Sequence, residues 1–153
     1  MPVQAMLDEI LEDWGRLDIL INNAHVDPHK ALLDLDEWDW RRTIDVNLTG
    51  PFLLAQSAGR VMKEAGEGVI VNLLSGGEGY AALKSSRMGL IGLTLELAAE
   101  FSAYNIRVNA ISSGAVGLPS EIIEPAKEVV EAVLYMCSLE AEIIIGKIIA
   151  ISQ

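Results

Sequence analysis

Apolar positions alternate along this chain between a helical spacing and short unbroken runs of strand length. Residues 2–14 place Val3, Met6, Leu7, Ile10 and Leu11 on one helical face, and Pro2 suits a first turn. LDILINN at 17–23 reads as a buried strand. Beyond the polar loop AHVDPHKALLDL, Asp36 stands as the N-cap of a long helix to about Glu64, with acids at 36, 37 and 39 at the positive end of its dipole. Pro51 lacks an amide hydrogen and cannot bond the carbonyl of Asn47, so a kink is expected there. GVIVNLL at 68–74 is the second strand, and a glycine-rich SGGEG leads into a helix from about Tyr80 to Ala103. NIRVNAI at 105–111 forms a third strand, Glu124 and Pro125 open the last helix, and IIIGKIIAI at 143–151 is the fourth strand. Strands this uniformly apolar are covered on both faces, the mark of a parallel sheet with right-handed helical crossovers. The pattern predicts a single α/β domain over residues 1–153, three layers deep, around a four-stranded parallel sheet.

Composition narrows the function classes. The 153 residues suit one domain, and 51% apolar against 22% charged positions is ordinary globular usage rather than disorder. Against 22 Asp and Glu stand 11 scattered Lys and Arg, a formal charge of -11 that would repel nucleic acid. The single Cys137 has no internal disulfide partner, and no Cys/His spacing fits zinc. No apolar run approaches the ~18 residues of a membrane span, and MPVQAMLDEI has acids where a signal peptide has bases. A soluble cytoplasmic protein is expected.

Chemistry concentrates where strands meet helices. Tyr80 and Lys84 are four residues apart at a helix start, a spacing that puts phenol and ammonium on one face. A nearby cation and the positive helix end both favour the phenolate, drawing the phenol toward proton exchange with an alcohol or carbonyl. The alternative is a packed Tyr beside an exposed Lys. Ser75 ends the second strand, where open α/β sheets place ligands, and its hydroxyl could position a carbonyl oxygen. The Asn47 carbonyl, freed by Pro51, could hold a water in a proton relay, or the kink could merely fit the helix to the sheet. SGGEG could form a nest of amides for a phosphate, although Glu78 opposes an anion. His25, Asp27 and His29 share one loop, which allows a Ser–His hydrolase with Ser75 or a loose metal site, but Ser75 lacks the Gly-x-Ser-x-Gly elbow. Trp14, Trp38 and Trp40 are read as packing residues rather than a ligand cage.

Taken in order, these segments resemble the classical short-chain dehydrogenase/reductases. WGRLDILINNAH is similar to the family's Asn-Asn-Ala-Gly strand end, with His25 in place of glycine. IDVNLTGPF resembles the helix bearing the active-site asparagine, which falls on Asn47. GVIVNLLS resembles the strand ending in the catalytic serine, Ser75, and YAALKSSRMGLIGLTLELAAEF the Tyr-x-x-x-Lys helix, with Tyr80 and Lys84. NIRVNAISSGAVGLP is similar to the following strand and loop, with Ser113 and Gly114 where Pro-Gly is usual and Leu118 for the customary threonine.

The resemblance implies a Rossmann-like fold and an oxidoreductase acting on a carbonyl or alcohol with NAD or NADP. Tyr80 would be the general acid or base, Lys84 would lower its pKa and hold the nicotinamide ribose, Ser75 would orient substrate and Asn47 would support a proton relay. Asn23, Ala24, Lys84 and Gly114 would contact the cofactor. The family's N-terminal βαβ units with the glycine-rich pyrophosphate turn have no counterpart here, so the domain reads as truncated and cofactor binding as weak or absent. Only four residues separate Ser75 from Tyr80, fewer than in the family, and the segment after Leu118 is short. A non-catalytic, self-associating domain is the competing reading. LDILINN, lacking Pro, Lys or Gly, would leave an open sheet edge, and Gly89 and Gly92 would let long helices approach, so a homodimer or larger assembly is expected.

Overall fold

The computed structural model describes residues 2–74, 79–113 and 128–151. Helix α1 (Pro2–Trp14) leads into strand β1 (Ile19–Asn22), followed by helix α2 (Glu37–Ile44), helix α3 (Gly50–Ala65), strand β2 (Gly68–Leu74) and helix α4 (Ala81–Phe101). Strand β3 (Ile106–Ser112), helix α5 (Val129–Cys137) and strand β4 (Ile148–Ala150) complete the described fold. The four strands are all parallel, in the order β1-β2-β3-β4. This is the expected α/β architecture, and the chain's progression across the sheet explains it: each crossover carries one helix or more.

Two apolar layers sandwich the sheet. Ala55, Ala58 and Met62 of α3 and Leu97 and Ala98 of α4 pack with Ile70, Ile106 and Val108 on one face. Ala132 and Met136 of α5 pack with Val69, Val71, Ile111 and Ile149 on the other. Alternate strand residues feed opposite layers because successive side chains point to opposite faces. Arg107 ties α5 down: its Nη1 donates to the carbonyls of Met136 and Ala141, both at 2.9 Å, and its Nη2 to that of Ser138 at 3.1 Å.

Asp36 caps α2 as its sequence predicts, its side chain accepting from the Asp39 amide at 2.8 Å. At Pro51 the chain answers the missing donor with a π-helical turn, Asp45–Thr49, in which the Gly50 amide reaches the Asp45 carbonyl. Gly66 ends α3 at φ +80°, a backbone conformation that suits glycine, and its amide closes on the Met62 carbonyl at 2.9 Å. The fourth strand is shorter than the run 143–151 predicts. Gly146 turns the chain at φ +68°, and only then does the Lys147 amide donate to Asn109 Oδ1, at 2.9 Å, at the entry to β4. Glu124 and Pro125 lie outside the described residues. The tryptophans depart from expectation: Trp14 and Trp38 are largely exposed, and Trp38 lies under the Arg42 guanidinium, 5.3 Å from the ring centroid.

Candidate active site

Parallel strands present their carboxyl ends to one rim of the sheet, and there β1, the π turn and α4 converge. Asn47, in the π turn, is buried and fully engaged through its side chain. Its Oδ1 accepts from the Val26 amide at 2.8 Å, while Nδ2 donates to the Val26 carbonyl at 2.9 Å and to Ser86 Oγ at 3.0 Å. Ser86 in turn donates to the Leu83 carbonyl at 3.0 Å. Asn47 thus joins the loop after β1 to the second turn of α4. Beneath it, Asn22 Nδ2 donates to Asn72 Oδ1 at 2.8 Å, and Asn72 Nδ2 to Thr94 Oγ1 at 2.9 Å, a buried amide ladder crossing from β1 to α4.

A small cleft opens at this junction, lined by Asn22, Ala24, His25, Asn47 and Pro51, by Leu73 and Leu74, and by Leu83, Ser86, Arg87 and Leu90 of α4. Leu83 is 5% exposed and Arg87 7%. Burial pulls the Arg87 guanidinium below its ordinary range, opposed by the charge of Asp27. Tyr80 and Lys84 do not line the cleft. Tyr80 is the N-cap of α4, in extended conformation and 46% exposed, and Lys84 is exposed one turn on. The Tyr80 ring instead meets His29 edge-on, centroids 6.5 Å apart. His29 sits at φ +50°, its amide donating to Asp27 Oδ1 at 3.0 Å.

Of the residues singled out from sequence, the structure therefore gathers Ala24, His25, Asn47 and Pro51 at the cleft, leaves Asn23 exposed beside it, and sets Tyr80 and Lys84 outside it. Ser75 and Gly114 lie outside the described residues, as does most of SGGEG. Among the described residues no cluster of three His, Cys, Asp or Glu could hold a metal, and no helix is long and apolar enough to cross a membrane. Leu83, Ser86 and Arg87 were not singled out beforehand. They come to light only in the folded helix, where 82, 83, 86, 87, 90 and 91 turn inward together.

Residues 2–121 match the family model described as enoyl-(acyl carrier protein) reductase. The chain belongs to the short-chain dehydrogenase/reductase family. It is 31% identical to a 3alpha-hydroxysteroid dehydrogenase of Mediterraneibacter gnavus, covering 97% of this chain and 69% of that protein. It is 30% identical to a 3-oxoacyl-[acyl-carrier-protein] reductase of Thermotoga maritima, covering 97% and 70%. A short-chain type dehydrogenase/reductase from Mycobacterium marinum superimposes with a TM-score of 0.85 at 27% identity, over 98% of this chain and 69% of that one. The alignment to the hydroxysteroid enzyme runs over 175 positions, more than the 153 residues here, so that short-chain dehydrogenase/reductase carries segments within the matched span that this one lacks.

The residues at the rim suit the nicotinamide end of the family's cofactor. Asn22 Oδ1, buried at the cleft, accepts no hydrogen bond among the described residues and offers itself to an incoming donor. Asn23 and Ala24 stand exposed just past the end of β1.

Proposed function

We propose that this chain acts as an oxidoreductase on a small alcohol or carbonyl compound with a nicotinamide cofactor, at low turnover. The observation that carries this reading is the Asn47 junction: a fully bonded asparagine in a π turn, at the carboxyl rim of a parallel sheet, beside a cleft holding an unpartnered acceptor. When bound, the cofactor supplies or accepts the hydride. Asn23 and Ala24 would hold its nicotinamide end. Asn47 fixes the loop after β1, and so the floor of the site, through both polar groups of Val26. Ser75 would orient the substrate oxygen, while Tyr80, the phenol at this end of α4, stands outside the cleft. Turnover is low because Tyr80 stands at the helix cap, away from the cleft.

Binding is expected to be weak as well. A charge of -11 opposes the cofactor's pyrophosphate, and Arg87, the cation lining the cleft, is buried at 7% exposure. Titrating NADH and NADPH against tryptophan fluorescence tests this: millimolar affinity is expected, and a micromolar dissociation constant contradicts it. Residual ketone reduction should be low and little changed in Tyr80→Phe, with the fold unchanged by circular dichroism, whereas its loss in that variant would put Tyr80 in the reaction.

A second reading, a non-catalytic domain that self-associates, is favoured by the edge of the sheet. Ile19 and Ile21 of β1 are 42% and 44% exposed on a strand that, among the described residues, is paired on one side only, an apolar edge that invites another chain. It predicts a dimer with no nicotinamide response at all.

A further inference from the structure

We infer that α4 presents positions 83 and 87, rather than 80 and 84, to the reacting centre, so that an apolar side chain fills the place from which a proton would be delivered. This inference rests on the oxidoreductase reading and sharpens it. The spacing of four that places a phenol and a cation on one helix face recurs one turn later as Leu83 and Arg87. Three observations put this second pair, and not the first, at the cleft. Leu83 and Arg87 line it and are buried, while Tyr80 and Lys84 are exposed. Asn47, the fixed point of the site, bonds Ser86, whose hydroxyl bonds the Leu83 carbonyl, so the junction is tied to the turn 83–86. Tyr80 precedes the first helical residue in extended conformation, which takes it off the helical face that a spacing argument assumes.

The chemistry follows from the replacement. A carbonyl lying in the cleft would meet the Leu83 methyls, which have no proton to give, and the Arg87 guanidinium, which keeps its proton. A phenol at position 83 would lie where Leu83 now packs against Gly79, one turn from a cation. Carbonyl reduction there balances simply: the carbonyl carbon takes hydride from the nicotinamide, its oxygen takes the phenol proton, and the phenolate is reprotonated by water.

The wild-type chain, labelled at leucine methyls and tyrosine rings, is titrated with reduced nicotinamide mononucleotide and followed by NMR. The expected result is movement of the Leu83 methyl signals with little change at the Tyr80 ring. A Tyr80 shift equal to or larger than that at Leu83 overturns the inference and leaves the oxidoreductase reading standing. No shift at either residue removes that reading and the inference with it. As a second arm, L83Y is assayed with cyclohexanone and NADPH. A gain of about a hundredfold over wild type is expected, the lower end of what a placed general acid supplies. A folded L83Y with no gain overturns the inference, and the NMR arm decides the matter should L83Y fail to fold.

Discussion

Asn47 satisfies two backbone groups of Val26 that would otherwise be stranded as the chain leaves the sheet. Its replacement should therefore cost stability before it costs chemistry. Asn47→Ala leaves a part-buried amide and carbonyl without partners, and urea denaturation should show a loss of about 1–3 kcal/mol. An unchanged midpoint would mean that water replaces the side chain at no cost. Asp36 offers a test of pH. Its carboxylate is held below the ordinary aspartate value of 3.8, first by the Asp39 amide and then by Lys30. A group depressed in the folded state contributes stability above its unfolded pKa and loses it as pH falls through the folded one. The melting temperature of Asp36→Ala should accordingly fall below wild type at neutral pH, and the gap should close as pH drops below 3.8. A gap that persists under strong acid would assign the effect to packing.

At the scale of elements, the two long helices differ in how their glycines are used. A Cβ on Gly59 of α3 would lie 2.6 Å from the Phe101 ring, and one on Gly89 of α4 would lie 2.7 Å from Leu48, so both hold neighbouring side chains close. Gly92 has open space around it. Of the two glycines expected to serve a helix-to-helix dimer, then, Gly89 is engaged within the chain and Gly92 alone faces outward. Gly92→Ala should raise stability by up to about 1 kcal/mol, the helix propensity difference, whereas Gly59→Ala should lower it. Thermal melts of the two variants check this, and a dimer that dissociates in Gly92→Ala would place α4 in the interface. The sheet was legible in the sequence because each strand is an apolar run flanked by turn residues, and Gly68–Leu74 matches its run residue for residue. The break at Pro51 was legible, but its form was not: a missing donor signals a disturbance, and packing chose a π turn. The site was legible only to within one helical turn. A spacing of four occurs at both 80/84 and 83/87, and which pair faces inward depends on where the cap falls, a property of the backbone.

For the whole molecule, the uncovered corner lies at β1. Ile19 and Ile21 align with Val69 and Val71, which α5 covers, but among the described elements no helix extends over β1 on that face. Leu20, on the opposite face, packs against the core under α3 and α4. A charge placed at Leu20 would thus disturb the interior, and the clean probe of the edge is Ile21→Lys. Light scattering at micromolar concentration is expected to show a dimer for wild type and a monomer for Ile21→Lys. A dimer that survives the change would move the interface to the helices.

The Arg107 clamp has a consequence for how this molecule breathes. A single guanidinium on β3 holds three carbonyls around the end of α5 and the turn beyond it, so this end cannot lift away without stranding a charge. Native-state hydrogen exchange should therefore find the amides of α5 and β4 opening together with those of β3, as one cooperative unit. In Arg107→Met that unit should divide, with α5 exchanging through a cheaper, local opening while the protection of β2 and β3 persists.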